Sequence, residues 1–167
     1  YDGTVMVFDI RLKGNNKPIY CSTVRTAKHT DPVWEVRWEN DESAKNLSFY
    51  SVSSDGRVTN WNLMKNKLEA EEVIKLKLVI DQEKELANDK KEAFLYGLAG
   101  GMCFDFNKQP EKDHLFLVGT EEGKIHLCSK AYSGQYLETY EGHYLAVYAV
   151  KWNTFHPRVF VSCSADW

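Results

Sequence analysis

The sequence has 167 residues, a length that suits one domain with a buried core. Hydrophobic residues make up 43% and charged residues 27%, a balance typical of globular proteins and unlike that of disordered ones. With a formal net charge of −3, the sequence lacks the basic surplus that neutralises a phosphate backbone, so we expect no nucleic-acid partner. No apolar run approaches the ~20 residues that span a bilayer, so we expect no membrane association.

The chain opens with DGTVMVFD (2–9), in which an Asp-Gly pair precedes alternating apolar residues. This pattern predicts a tight hairpin turn followed by a strand. The segment parallels DGRVTNWN (55–62), so it is a partial copy of a repeat. Because the sequence starts at Tyr1 and not at Met, and stops inside another repeat, we expect a piece of a longer protein.

The best-formed repeat begins with HTDPVWEVRW (29–38) and continues through FYSVSSDG (49–56). Its counterpart near the end of the sequence is HYLAVYAVKW (143–152) with FVSCSADW (160–167), and each pair of segments aligns without gaps. The residues in register include Ser51 with Ser162, Ser53 with Ser164, and Asp55 with Asp166. Self-similarity of this kind indicates a repeat architecture.

Between these copies, VIKLKLVI (73–80) alternates like a strand, and DQEKELANDKKEAF (81–94) is rich in both charges. We expect the charged stretch to be a solvated loop or short helix, and we favour this over a binding role. A divergent copy follows in GGMCFDFN (100–107) and FLVGTEEGKIHLCS (116–129), without the leading His. It carries Phe106, Thr120, Glu122 and Cys128 at the positions of Trp38, Ser53, Asp55 and Trp61.

The turn residues Glu122 and Asp166 are 44 residues apart, close to the ~40–45 residues of a four-stranded propeller blade. We therefore predict an all-β fold, a partial WD-repeat β-propeller of about three blades of a larger ring. All 167 residues would belong to one propeller domain. Its predicted parts are the end of one blade (1–28), a second blade (29–80), a charged insertion (81–96), a degenerate third blade (97–141) and the start of a fourth (142–167).

A His, a later Ser-x-Asp and a Trp six residues after the Asp resemble the signature of WD repeats. The structural tetrad of that family maps by resemblance onto His29, Ser53, Asp55 and Trp61, and in the last repeat onto His143, Ser164 and Asp166. The resemblance implies that the Asp accepts a hydrogen bond from the His, and that the Ser bridges the His to the Trp indole. Each buried polar group would thereby gain a partner.

The same residue types also invite an enzymatic interpretation. A Ser-His-Asp triad is disfavoured because the set occurs twice in register and lies beside hairpins, with no G-x-S-x-G elbow. His114, His126 and His156 lack ligand-like spacing, the four cysteines form no C-x-x-C pair, and the glycines of 97–101 are not followed by a Gly-Lys-Ser/Thr. We expect no catalytic residue, metal or cofactor.

Several stretches are more specific than a generic repeat, and they resemble the axonemal outer-arm dynein intermediate chains of the first type. They are HTDPVWEVRW, FYSVSSDGRVTNWNL, VIKLKL, FLVGTEEGKIHLCSKAYSGQYLETYEGH and WNTFHPRVFVSCSADW. Together they cover most of the sequence from residue 29 onward, while 81–96 diverges.

The resemblance implies a non-catalytic scaffold in the cytoplasm and cytoskeleton, at the axoneme of a cilium or flagellum. In that family the propeller docks on the tail of the dynein heavy chain, which carries the motor's ATPase. A second intermediate chain pairs with the propeller, and light chains bind a segment N-terminal to it that this sequence does not contain. The alternative is another WD-repeat adaptor, such as a cytoplasmic dynein intermediate chain or a substrate receptor.

Overall fold

The computed structural model of the chain describes residues 1–11, 14, 16–39, 47–78 and 97–167. The described residues form antiparallel sheets, with one short 3-10 turn at Val24–Thr26. In the first sheet, β1 (Met6–Val7) pairs with β2 (Tyr20–Cys21). The second sheet contains β3 (Val33–Trp38), β4 (Ser48–Ser53), β5 (Arg57–Leu63) and β6 (Leu68–Lys75). The third contains β7 (Gly101–Phe106), β8 (Leu115–Thr120), β9 (Ile125–Ser129) and β10 (Glu138–Tyr140), and the fourth pairs β11 (Val147–Trp152) with β12 (Phe160–Ser164).

In each four-stranded sheet, consecutive strands are neighbours and run antiparallel, as in the blade of a propeller. The contacts between sheets concentrate on β7, which lies against β3 and β4 on one side and against β11 on the other. The prediction of an all-β, partial β-propeller is confirmed. The predicted insertion at 81–96 lies outside the described residues.

The core lies between successive sheets. One cluster joins Tyr50, Val52 and Val58 of the second sheet to Phe104 and Phe116 of the third. A second cluster packs the third sheet on the fourth, and another packs the first sheet on the second. Because a middle blade is covered on both faces, its strands lose the apolar–polar alternation of a half-exposed sheet. The residues of β8 from Phe116 to Thr120 are accordingly all buried.

Two of the predicted hairpin turns, Asp55-Gly56 and Glu122-Gly123, are confirmed, because each joins a pair of antiparallel strands. Gly56 has φ +77° and Gly123 has φ +84°, in the left-handed region that glycine adopts without steric cost. A Cβ at Gly56 would also press on Leu98 and Ala99, and one at Gly123 would press on the carbonyl of His143. Each turn thus packs on the loop that enters the next inner strand.

Candidate functional site

The polar residues of the best-formed repeat meet inside the second sheet. His29 precedes β3, Asp55 lies in the turn between β4 and β5, and Trp61 lies on β5. The His29 Nδ1 atom is 2.9 Å from Asp55 Oδ2, and its Nε2 atom is 2.7 Å from Ser51 Oγ. The Trp61 indole N–H donates to the same Ser51 hydroxyl at 2.8 Å. The imidazole and the indole are fully buried, so these hydrogen bonds satisfy polar atoms that water does not reach.

The prediction that Ser53 bridges the His to the Trp is wrong, because Ser51 makes that bridge. The two side chains lie on the same face of β4, two residues apart, but Ser53 is at the end of the strand beside the turn. Its hydroxyl donates to the Asp31 carbonyl at 3.0 Å and accepts the Asp55 N–H at 3.2 Å. Ser53 therefore stabilises the turn. Ser51 lies two residues earlier on β4, where its hydroxyl reaches the Trp61 indole.

Asp55 is the most heavily bonded carboxylate of this network. It accepts the backbone N–H of Thr30 at 3.1 Å and of Arg57 at 2.9 Å, and the Arg57 guanidinium lies 2.7 Å away. Burial raises the pKa of this carboxyl group, but the hydrogen bonds from His29 and Arg57 outweigh that effect and hold the pKa well below its usual range. Asp55 is thus a charged anchor for the loop before β3.

The fourth sheet repeats this arrangement. His143 Nδ1 is 2.9 Å from Asp166 Oδ2, and His143 Nε2 is 2.9 Å from Ser162 Oγ. The predicted Ser164 is again displaced from the bridge, because its hydroxyl donates to the Leu145 carbonyl at 2.8 Å. In both repeats the serine that contacts the His lies two residues before the predicted one, and in the second sheet that serine also accepts the indole N–H. The in-register pair Ser51 and Ser162 was a sequence signal for this position.

In the third sheet, apolar residues replace the serine and the tryptophan of the hydrogen-bond network. Val118 and Cys128 stand where Ser51 and Trp61 stand in the second sheet, and both are buried in the cluster between these two sheets. Burial raises the pKa of the Cys128 thiol to about 12, so the thiol stays protonated. Glu122, at the position of Asp55, accepts the Gly100 N–H at 3.2 Å and so keeps the role of anchoring the turn.

These hydrogen-bond sets occupy the atoms that a catalytic triad would need. Ser51 Oγ is shared between an imidazole and an indole in a buried site, where a substrate has no access. Over the described ranges, no group of three His, Cys, Asp or Glu side chains is placed to hold a metal ion. Within the same residues, no helix has the length and apolar character needed to cross a bilayer.

The comparisons with known proteins agree with this geometry. A family model described as "WD domain, G-beta repeat" matches residues 134–167. The chain is 54% identical over 166 residues to "Dynein intermediate chain 2, ciliary" of Heliocidaris crassispina, covering 99% of the chain and 23% of that protein. It is 51% identical over 164 residues to "Dynein, 78 kDa intermediate chain, flagellar outer arm" of Chlamydomonas reinhardtii, covering 98% and 23%. It is also 49% identical over 167 residues to "Dynein axonemal intermediate chain 1" of Rattus norvegicus, covering 100% and 23%.

Proposed function

The chain is homologous over its whole length to a part of the axonemal dynein intermediate chains, and on this premise we propose that it is a stretch of a non-catalytic scaffold subunit of an outer-arm dynein. It spans about a quarter of the length of the curated relatives it matches, 23% in each of these three cases. The protein would work at the axoneme of a cilium or flagellum, since these relatives are named as ciliary, flagellar and axonemal.

The observation that carries the scaffold role is the use made of the buried polar residues. The His29, Ser51 and Trp61 side chains are hydrogen-bonded to one another. Asp55 bonds His29 and also accepts the Thr30 N–H of the loop before β3. Such a network stabilises one geometry of the blade and offers no free acid, base or nucleophile. A rigid set of blades with exposed loops suits a subunit that holds other subunits in place.

We propose the dynein heavy-chain tail as the main partner and a second intermediate chain as a neighbour. Light chains would bind a segment N-terminal to the propeller, outside this sequence. The blade divisions proposed for the chain are 1–28, 29–80, 97–141 and 142–167, with the charged segment 81–96 as an insertion in the ring. The names of these three relatives, which are ciliary, flagellar and axonemal, favour an axonemal over a cytoplasmic dynein.

An affinity purification tests the proposal. The full-length gene product, tagged and expressed in ciliated cells that lack the endogenous copy, should co-purify with outer-arm heavy chain from axonemal extracts and should restore beating. A matched variant with Ser51→Ala, which weakens the blade without altering the surface, should reduce the recovery of heavy chain in proportion to its loss of folded protein. Recovery of the wild-type protein with cytoplasmic dynein or a ubiquitin ligase, and without axonemal heavy chain, would favour the alternative adaptor.

A further inference from the structure

The three inner strands β3, β7 and β11 each have one edge that pairs with no strand of its own sheet in the described part of the chain. Along a strand, the N–H groups of successive residues point alternately to the two sides. On β7, the Asn107 N–H donates to the Leu115 carbonyl on the β8 side, so the Phe104 N–H, three residues earlier, points to the open edge. On β11, Asn153 donates to Val159 in the same way, and the Trp152 N–H points to the open edge. Unpaired edge amides of this kind need a partner.

Carboxylates from the preceding inner strand supply that partner. Glu35 Oε2 on β3 accepts the Phe104 N–H of β7 at 2.8 Å. Asp105 Oδ2 on β7 accepts the Trp152 N–H of β11, also at 2.8 Å. In both cases a side chain of one sheet closes the free edge of the next, in the same direction around the propeller.

Arg37 connects the two carboxylates. Its Nη2 atom is 2.6 Å from Glu35 Oε1, and its Nη1 atom is 3.0 Å from Asp105 Oδ1. Asp105 is buried, with 2% of its surface exposed, and its backbone carbonyl also accepts the Trp152 indole N–H at 3.2 Å. The carboxylate of Asp105 is therefore held between a cation from the second sheet and an amide from the fourth.

The series stops at β11 within the described residues. By the alignment of the repeats, Ala149 stands at the position of Glu35, and Lys151 stands at the position of Arg37 and Asp105. Neither residue can supply a carboxylate to a following strand. We call a carboxylate that accepts an edge amide of the next sheet a cap. The third sheet supplies a cap to the fourth through Asp105, but Ala149 and Lys151 of the fourth sheet supply none to a further strand.

We propose that Asp105 is a latch that holds the hairpin β11–β12 against β7, and that its release opens this hairpin locally while the second and third sheets stay closed. A charged acceptor in a buried site makes a stronger hydrogen bond than a neutral one, and its removal leaves the Trp152 amide without a partner. The remaining links across this junction are apolar contacts around Val147, Val150 and Trp152, together with hydrogen bonds to backbone carbonyls of the fourth sheet and its loop. Cys103 Sγ donates to the Val147 carbonyl at 3.2 Å, and Asn107 Nδ2 donates to the Pro157 carbonyl at 3.0 Å. The latch concerns the motion of one blade and does not depend on which complex the protein joins.

Native-state hydrogen exchange on the full-length gene product tests the latch. Asp105→Ala should speed exchange of the Trp152 amide about tenfold or more, because an opening that costs at least about 1.4 kcal/mol less is populated that much more often. Amides of β8, from Phe116 to Thr120, should keep their wild-type rates. Exchange should rise at Lys151 as well, which pairs with Val161 of β12. A rise confined to Trp152 would reflect only the loss of its own acceptor, and that outcome, an unchanged Trp152 rate or an equal rise in β8 and β11 would overturn the proposal.

Two further variants make the test specific. Glu35→Ala removes the corresponding cap from β7, so it should speed exchange at Phe104 and leave Trp152 much less affected. Asp105→Asn keeps an oxygen acceptor but loses the charge, so it serves if Asp105→Ala fails to fold, and it should speed exchange at Trp152 by a smaller factor. If Glu35→Ala and Asp105→Asn raised the two amides alike, the caps would not act separately and the latch would be rejected.

Discussion

Ser51 accepts the indole N–H of Trp61 at 2.8 Å and lies 2.7 Å from the Nε2 atom of His29. Both partners are fully buried, so Ser51→Ala would leave an indole donor and an imidazole nitrogen without a partner. We expect the free energy of unfolding to fall by about 2–3 kcal/mol in the full-length protein. Ser53→Ala is the matched control, and it should cost about 1 kcal/mol because the Ser53 hydroxyl bonds only to backbone groups, the Asp31 carbonyl and the Asp55 N–H. Urea unfolding measures the loss of stability in both variants. An equal or larger loss for Ser53→Ala would favour Ser53, as predicted from the sequence, as the bridge between His29 and Trp61.

Trp61 also fills the space between the first and second sheets. Its ring stacks on Phe49 with centroids 6.1 Å apart and packs beside Val5 and Leu68. Trp61→Ala should therefore cost about 3–5 kcal/mol through a cavity and a broken hydrogen bond. Trp61→Phe keeps most of the ring and loses the N–H, so it should cost clearly less. A loss below about 1 kcal/mol for Trp61→Ala, measured by thermal unfolding, would show that the indole is not part of the core.

A buried histidine predicts a dependence of stability on pH. The His126 ring lies parallel to the Tyr136 ring at 3.7 Å, and burial together with Lys124 lowers its pKa from 6.5 to about 4. Between pH 6.5 and pH 4 the unfolded chain binds this proton and the folded chain does not. Stability should therefore fall as the pH drops through that window, by at most roughly 3 kcal/mol from this group.

The control for this prediction is His126→Phe, which keeps a ring against Tyr136 and cannot titrate. Its urea midpoints at pH 7, 6, 5 and 4.5 should decline less steeply than those of the wild-type protein, although it gives up the 2.9 Å hydrogen bond to Thr139. Parallel curves for the two proteins would assign the acid sensitivity to other groups.

Lys130 forms a polar link between the second and third sheets. Its Nζ atom lies 2.8 Å from Glu39 Oε1 and 4.6 Å from the centre of the Phe106 ring. Lys130→Met keeps the apolar stem but removes the charge, so it should cost about 1–2 kcal/mol and raise the pKa of Glu39. Lys67→Met breaks an exposed pair with Glu69 and should cost below about 0.5 kcal/mol. If the two variants had equal unfolding midpoints, Lys130 would be only a surface charge.

The sequence alone determined the repeat and the all-β class, and its segments carry the similarity to dynein intermediate chains. These follow from local patterns. Asp55-Gly56 and Glu122-Gly123 predict tight turns, because glycine adopts the left-handed backbone conformation of such a turn without steric cost. The resemblance to WD repeats implied the neighbourhood of Trp61 with His29 and Asp55, and the structure places Trp61 fully buried beside that pair.

Tertiary structure decided the rest. Ser51 and Ser53 share one face of β4, so the period of a strand does not distinguish them, and only their position relative to the β5 indole does. The caps from Glu35 to Phe104 and from Asp105 to Trp152 join residues 69 and 47 positions apart, in different sheets. No local pattern encodes such pairs, because they arise only when the packed apolar faces fix one blade against the next.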